Sequence, residues 1–248
     1  MITISNLRKT FGDQEVLRGI NLVVPKGQTL VILGRSGSGK SVLFKCIVGL
    51  IRPDEGSIKI DGVEVVGLQQ PHLDALRRRL GYVFQNAALY DSMTVRENLA
   101  FHLTRHLHLS ADECEDIIRE KLQFVGMEAA IDKYPSQLSG GMQKRAGLAR
   151  ALVLLPEIML YDEPTTGLDP ITSAEIDELI ARLKRATGVT AISITHSVES
   201  AYRTADQIAV LHAGEVVETG TFAELLKSRH PFVENYFAHL SINELVES

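Results

Sequence analysis

The chain has 248 residues, of which 45% are hydrophobic and 23% are charged, and its formal net charge at pH 7 is -5. This length is sufficient for one large domain, alone or with a subdomain. The acidic balance argues against nucleic-acid binding, which usually requires a basic face. No segment approaches about 18 uninterrupted apolar residues, so we expect no membrane-spanning helix.

The first sixty residues predict short strands joined by turns. The N-terminal residues alternate in polarity, which predicts a strand and no signal peptide. A helix is expected after Gly39, with Val42, Leu43, Ile47 and Leu50 along one side. The strands are expected over residues 2–7, 14–24 and 28–33, followed by a hairpin over 56–65.

The middle of the chain changes character and predicts a helical subdomain at about 86–150, inserted into a domain that covers 1–227. Helical periodicity covers 94–108 and 111–125. After residue 158, strands alternate with helices, which predicts parallel strands with crossover connections. A separate amphipathic helical tail is expected over 228–248. The alternating elements are expected over residues 158–161, 172–187, 189–194 and 198–204.

Residues 34–41 have the sequence GRSGSGKS and match the phosphate-loop pattern G-x-x-x-x-G-K-[ST]. An apolar strand enters the motif and a predicted helix leaves it. Glycines let the backbone N–H groups turn toward phosphate oxygens, and the helix N-terminus favours the same anion. Lys40 supplies a positive charge, and the Ser41 hydroxyl can ligate Mg²⁺. The motif predicts nucleoside triphosphate binding without choosing among ATPases and GTPases.

Polar residues follow several strands at the edge of the sheet where ligands bind in open α/β folds. Asp162 and Glu163 end an apolar strand, and we expect Asp162 to hold Mg²⁺ through water while Glu163 polarises the attacking water. His196 follows the next strand and is a candidate γ-phosphate contact. Gln85 follows the segment 80–84 and is a candidate ligand of the metal or the water.

Residues 138–142, with the sequence LSGGM, resemble the signature motif of ATP-binding cassette (ABC) ATPases. Gln85 resembles the Q-loop glutamine of that family, Asp169 lies in a segment that resembles its D-loop, and His196 resembles its switch histidine. The resemblance covers nearly the whole chain. It implies an α/β fold in which a RecA-like mixed sheet carries an antiparallel β subdomain and an inserted helical subdomain.

The same resemblance implies an ATPase that uses ATP and Mg²⁺. Catalytic roles are implied for Glu163, His196 and Gln85, and Mg²⁺ is expected at Ser41, Gln85 and Asp162. Two copies of the chain would close around two ATP molecules, with the signature of one copy on the γ-phosphate held by the other. The signature residues are Leu138, Ser139, Gly140, Gly141 and Met142. The implied nucleotide contacts are Phe11, Val16, Gly34, Arg35, Ser36, Gly37, Ser38, Gly39, Lys40, Ser41, Val42 and Asp162.

Departures from the family pattern are small. Met142 replaces the usual glutamine of the signature, and Phe11 replaces the usual tyrosine that stacks on adenine. Arg35 is less usual in the phosphate loop, and its role is open. Neither Met142 nor Phe11 removes a phosphate contact, so we expect activity.

The segment from Gly81 to Val95 resembles the Mce/Mla-type lipid-transport ATPases, as do residues 39–43 and 140–152. That similarity implies a peripheral subunit on the cytoplasmic face of the bacterial inner membrane that moves phospholipids or related lipids. It implies integral-membrane permease subunits as partners, with an Mce-domain protein and a small regulatory protein as further partners. The alternatives are an importer of another solute, a non-transport ABC ATPase and a non-hydrolysing ATP-binding scaffold.

Four other features have simpler explanations. Cys46 and Cys114 are expected to be reduced thiols. The three histidines are expected on one helix, as a solvated or permease-facing surface rather than a zinc site. The arginine run is expected to be a solvated charge run. The tail is expected either to pack on its own domain or to contact a partner. The histidines are His102, His106 and His108, and the arginine run is Arg77, Arg78 and Arg79. The apolar residues of the tail are Phe232, Tyr236, Phe237 and Leu240.

Overall fold

A computed structural model describes residues 1–238 of the chain. Its strands are β1 Ile2–Phe11, β2 Gln14–Val24, β3 Thr29–Leu33, β4 Glu55–Ile60, β5 Val63–Glu64, β6 Leu80–Val83, β7 Ile158–Asp162, β8 Thr190–Thr195, β9 Gln207–His212 and β10 Glu215–Gly220. Its α-helices are α1 Lys40–Ile47, α2 Gln70–Arg78, α3 Val95–His106, α4 Ala111–Val125, α5 Gly140–Leu152, α6 Pro170–Thr187, α7 Val198–Thr204, α8 Phe222–Leu225 and α9 Pro231–Phe237.

The N-terminal strands form an antiparallel sheet in the order β2-β1-β4-β5. Apolar side chains on alternate positions of β1 and β4 face one buried cluster, as expected for a sheet with one covered face. Gly56 has a φ of +94°, and an added Cβ would lie 2.5 Å from the backbone oxygen of Asn6. The close approach of β4 to β1 therefore requires glycine at this position.

The second sheet has six strands in the order β10-β9-β3-β8-β7-β6. All pairs from β9 to β6 are parallel, and β10 pairs antiparallel with β9 at the edge. Every residue of β3 and β8 is buried. Both faces of this sheet are covered, which explains why its central strands read as continuous apolar runs. The mixed α/β sheet predicted from the resemblance is confirmed.

Helices α3, α4 and α5 lie between β6 and β7 in the chain and pack against one another. Two of them begin with reciprocal capping boxes, formed by Thr94 with Glu97 and by Ser110 with Glu113. Each box satisfies backbone N–H groups at a helix start and fixes where the helix begins. Gly126 ends α4 in the left-handed conformation, as helix-terminating glycines commonly do.

Several sequence-based expectations need correction. Helix α2 and strands β9 and β10 are present but were not predicted. Helix α3 ends at His106, so His108 lies beyond the helix that was expected to carry it. Helix α1 ends at Ile47, and Leu50 is 63% exposed rather than part of its buried side.

The arginine run after residue 76 is not simply solvated. Arg77 donates to the backbone oxygens of Val48 and Gly49, which tie α2 to the end of α1. Arg79 donates to both carboxylate oxygens of Glu157. These contacts join segments that are distant in the chain, and polarity alone could not predict them.

The C-terminal helix α9 packs on its own domain. Val233 and Phe237 are buried with residues of β3, α7 and β9, and Phe232 and Tyr236 pack against the same cluster. Leu240, the remaining apolar tail residue of interest, lies outside the described residues. Among residues 1–238, no helix is long and apolar enough to span a bilayer.

Candidate functional site

The phosphate loop joins β3 to α1 and forms one wall of a cavity of about 740 Å³. Gly37 and Gly39 have φ values of +80° and +106°, which side-chain-bearing residues rarely adopt. A Cβ on Gly39 would lie 3.0 Å from the Val16 oxygen, so the loop approaches β2 closely. The cavity is lined by Gln14, Val16, Arg35, Ser36, Gly37, Ser38, Gly39, Lys40, Ser41, Val42, Gln85, Glu163, Thr166, His196, Asn235 and Tyr236.

Two side chains in the loop are buried and polar. The Lys40 ammonium donates to the backbone oxygens of Gly34 at 2.7 Å and Arg35 at 3.2 Å. The Ser38 hydroxyl is buried and has no hydrogen-bond partner within residues 1–238. A buried polar group without a partner is costly, and an anion in the loop would satisfy it.

Asp162 ends β7 and is partly buried beside Tyr82, whose hydroxyl donates to Asp162 Oδ2 at 2.9 Å. Burial raises the pKa of Asp162, the Tyr82 hydrogen bond opposes that effect, and the neighbouring Glu163 carboxylate adds to it. Burial and the Asp162 carboxylate raise the pKa of Tyr82, so its hydroxyl stays a donor. A bound cation would reverse the electrostatic cost of ionising Asp162.

Glu163 has a φ of +48°, an uncommon conformation that turns its side chain back toward the phosphate loop. Its carboxylate accepts from Thr166 at 3.0 Å and lies 2.8 Å from His196 Nδ1. Its other oxygen is 3.5 Å from the Lys40 ammonium. The carboxylate is therefore held at the mouth of the cavity by groups from three parts of the chain.

A lysine on helix α5 joins the loop after β6 to the acidic strand. Lys144 donates to the backbone oxygen of Gln85 at 2.6 Å and approaches that of Glu163 at 3.4 Å. Burial lowers the pKa of Lys144, and the carboxylates of Asp162 and Glu163 oppose that shift. Lys144 follows the signature residues in the chain, and its importance depends on this tertiary contact.

The signature residues lie away from the cavity, with Ser139 and Gly140 exposed and Leu138 and Gly141 buried. Ser139 caps α5 by accepting from the Met142 N–H at 3.3 Å. A Cβ on Gly141 would lie 2.6 Å from Thr172 Cγ2, so this glycine permits close packing of α5 on α6. Asp169 caps α6 by accepting from the Thr172 N–H at 3.0 Å. None of residues 138–142 is among the described residues that line the cavity of the same chain.

Three candidate nucleotide contacts, Phe11, Gly34 and Asp162, are not in the cavity wall. Phe11 is 46% exposed at the end of β1, with the Lys9 ammonium 5.3 Å from its ring centroid. Asp162 lies behind Glu163 at the end of β7. Conversely, Gln14, Thr166, Asn235 and Tyr236 line the cavity and were not candidates. The apolar spacing of the tail predicted that it packs, but not that it reaches this site.

The residues present fit MgATP. The cavity volume is within the range of about 300–1,000 Å³ typical of small-molecule sites. Its floor combines a helix N-terminus, a buried ammonium and the unpartnered Ser38 hydroxyl, all suited to phosphate. Ser41 and Asp162 supply the hard oxygen ligands that Mg²⁺ prefers.

Comparison with known proteins decides the family. The ABC transporter family model matches residues 17–166. The chain belongs to the ABC transporter family, as an ATP-binding subunit. The cassette is 40% identical over 235 residues to the probable ribonucleotide transport ATP-binding protein mkl of Mycobacterium leprae, covering 95% of this chain and 68% of that protein.

A second relative of the cassette is the methionine import ATP-binding protein MetN of Bordetella pertussis, which is 42% identical over 253 residues. That alignment covers 100% of this chain and 70% of MetN. The chain thus spans about two thirds of the length of these relatives.

Among solved structures, the cassette resembles MJ0796, an ATP-binding cassette solved as a dimer in a post-hydrolysis state bound to ADP and Pi. The TM-score is 0.82 and the identity 33%, over 89% of this chain and 98% of MJ0796. The P-loop ABC fold, the ATPase activity and the use of ATP with Mg²⁺ predicted from the sequence are confirmed at the level of the family. Cassettes of this family dimerise and pair with membrane permease subunits.

Proposed function

We propose that this cassette hydrolyses ATP by activating water with Glu163. The observation that carries this proposal is the Glu163 carboxylate, held at the mouth of the phosphate-loop cavity by Thr166, His196 and Lys40. Its strained backbone and its hydrogen bonds fix the orientation that a general base requires. Gln85, on the opposite loop, lines the same cavity and contacts the water or the metal.

The remaining residues bind and orient the triphosphate. Lys40 exchanges its bonds to the Gly34 and Arg35 oxygens for β- and γ-phosphate oxygens, and the loop N–H groups bind the same anion. Ser41 and, through a water, Asp162 would hold Mg²⁺, which would neutralise charge on the phosphates. His196 contacts the γ-phosphate, while Phe11 and Val16 contact the base and ribose side.

Charge at the γ-phosphate must be compensated from both sides for hydrolysis to proceed. The signature, residues 138–142, starts helix α5 and presents Ser139 and glycine N–H groups, but within one chain it lies away from the cavity. We therefore propose that a second copy supplies its signature to this site and that Asp169 contributes to the same interface. ATP then favours the closed dimer, and hydrolysis releases it.

Measuring phosphate release by the purified chain tests the catalytic assignment. Glu163→Gln should abolish steady-state hydrolysis while ATP binding persists, because the amide cannot accept the proton of the attacking water. Glu215→Gln, an exposed position on β10, is the control and should keep wild-type activity. Equal rates for wild type and Glu163→Gln would refute the assignment.

The substrate proposed for the transporter is a phospholipid or a related lipid. Support comes from the resemblance of residues 39–43, 81–95 and 140–152 to Mce/Mla-type lipid-transport ATPases. The proposed location is the cytoplasmic face of the bacterial inner membrane, with integral-membrane permease subunits, an Mce-domain protein and a small regulatory protein near the tail. Solute import is the second candidate, favoured by the similarity to the protein named as methionine import MetN.

Gentle purification of the tagged chain from its native host discriminates these candidates. Co-purification of a multi-span permease, an Mce-domain protein and bound lipid would support lipid transport. A permease with a solute-binding protein would retain the ABC assignment and refute the lipid proposal. Recovery with ribosomes or DNA and without a permease would refute transport.

A further inference from the structure

Helix α9 forms part of the wall of the nucleotide cavity, and no sequence motif predicts this. Asn235 and Tyr236, on adjacent positions of this helix, line the cavity together with the phosphate loop and His196. The helix is held there by Val233 and Phe237, which are buried against residues of β3 and β9. The same strands lead into the phosphate loop and end beside it, so the helix is fixed relative to the site.

The Tyr236 hydroxyl donates to the backbone oxygen of His196 at 3.1 Å. His196 is 58% exposed at its side chain, yet its ring Nδ1 lies 2.8 Å from Glu163 Oε2. The histidine is thus held at two points, with its backbone on α9 and its ring on the candidate base. Without Tyr236, the ring contact and the flanking ends of β8 and α7 would limit its position.

A second contact joins α9 to the phosphate loop itself. The Arg35 guanidinium lies 5.7 Å from the centroid of the Phe232 ring, a cation–π distance. The ring of His212 also stacks on that of Phe232, with the two centroids 3.8 Å apart. Arg35, the unusual residue of the loop, therefore contacts the same helix that holds His196.

The chemistry of Tyr236 suits a constant donor. Burial raises its pKa to about 12, with the Glu163 carboxylate adding to the shift and Arg35 opposing it. The hydroxyl therefore keeps its proton over the whole range in which a cassette works. Its bond to the His196 oxygen does not switch with pH.

We propose that Tyr236 is a positioning residue for His196, and that helix α9 thereby sets the rate of ATP hydrolysis. This inference rests on the proposed role of His196 at the γ-phosphate. Because Tyr236 holds the histidine and not the phosphate loop, its hydroxyl affects the chemical step and leaves ATP affinity to the loop. Removing the hydroxyl should lower kcat and leave KM for ATP nearly unchanged.

The test compares Tyr236→Phe with wild type in the full chain. The phenyl ring keeps the packing of α9, and we expect kcat to fall about 3- to 10-fold, the range that corresponds to one hydrogen bond of ordinary strength. Tyr202→Phe is the matched control. Tyr202 lies on α7 with its ring 4.8 Å from that of Phe222, and its hydroxyl makes no hydrogen bond within residues 1–238. The control should keep wild-type kcat and KM.

A double-mutant cycle separates this inference from the role of His196. In a His196→Ala background, Tyr236→Phe should cause no further loss in single-turnover hydrolysis, because the residue it positions is gone. An equal loss in both backgrounds, or wild-type kcat for Tyr236→Phe, would overturn the proposal. Full activity of His196→Ala would instead refute the proposed function of the histidine.

Amide hydrogen exchange gives a readout that does not depend on turnover. Tyr236→Phe should accelerate exchange in the segment 195–200 and leave the rest of α7 and β8 unchanged, whereas Tyr202→Phe should not. Unchanged exchange in that segment would overturn the proposal even where hydrolysis in the His196→Ala background is too slow to compare. Accelerated exchange throughout the domain would also overturn it, since that result indicates a general loss of stability.

Discussion

Asp177 lies on helix α6, is only 2% exposed, and offers a direct test of the electrostatics behind the site. The Ser200 hydroxyl, on α7, donates to its Oδ2 at 2.8 Å. The same hydroxyl is 3.2 Å from that of Thr165, in the segment that follows Glu163. The other carboxylate oxygen has no partner within residues 1–238. One buried carboxyl therefore joins the segments that follow the acidic strand and the histidine loop.

Burial raises the pKa of Asp177 to about 6 from 3.8, while the Ser200 hydrogen bond and Arg203 oppose the shift and Glu199 adds to it. Because the folded-state pKa is above the unfolded value, the folded protein binds more protons between these two pH values. Stability contributed by this group therefore falls as pH rises from about 4 to 6, and the loss stays constant above that range. At 1.36 kcal/mol per pKa unit, the cost at pH 8 is about 3 kcal/mol, and about 2 kcal/mol of it develops between pH 4.5 and 8.

Asp177→Asn replaces the carboxyl by a group that cannot ionise and can still accept from Ser200. We expect the free energy of unfolding of the variant, relative to wild type, to increase by about 2 kcal/mol between pH 4.5 and 8. Urea unfolding followed by circular dichroism at several pH values measures this difference, and the other titrating groups cancel in it. Asp116→Asn, which removes an exposed carboxylate on α4, is the control. A pH-independent difference for Asp177→Asn would refute the reasoning.

Three other changes have defined outcomes. Gly56→Ala should destabilise the protein by more than about 2 kcal/mol in urea unfolding, because its Cβ would lie 2.5 Å from a backbone oxygen; Gly62→Ala, at a φ of +82° with open space around it, should cost about 1 kcal/mol. Lys144→Met should lower kcat about tenfold in a phosphate-release assay, because it removes the bonds to the Gln85 and Glu163 oxygens, and wild-type kcat would contradict this. Burial raises the pKa of Cys46 to about 11, so N-ethylmaleimide should modify it at pH 8 only upon unfolding, as followed by mass spectrometry; rapid modification of the folded chain would contradict the burial.

The parts of the fold that the sequence predicts well are those with strong local signals. The glycines of residues 34–39, the continuous apolar runs of β3 and β7, and the periodicity of α4 each restrict the chain within a few residues. The end of a parallel strand then places Glu163 and His196 at one edge of the sheet. Their 2.8 Å contact follows from this topology together with the unusual φ of Glu163, which no pattern reveals.

The parts that were missed depend on distant contacts. Helix α2 has only Leu73 and Leu76 buried, and its polar sequence resembles a loop. Arg77 and the adjacent Arg79 find their partners just after α1 and just before β7. Strand β10 alternates weakly because it is an edge strand with half-exposed residues. The tail shows amphipathic spacing, but nothing in that spacing specifies that Tyr236 meets the oxygen of His196.

These contacts suggest two layers with different physical origins around the cavity. The inner layer, which binds phosphate, is built from residues adjacent in the chain, so its geometry survives changes elsewhere. The outer layer consists of single long-range bonds, from Lys144 on α5 to the oxygens of Gln85 and Glu163, and from Tyr236 on α9 to that of His196. A shift of α5 therefore acts on the loops that carry Gln85 and Glu163, whereas a shift of α9 acts on His196 and, through the Phe232–Arg35 contact, on the phosphate loop. Such an arrangement allows hydrolysis to respond to a shift of α5 without loss of bound ATP.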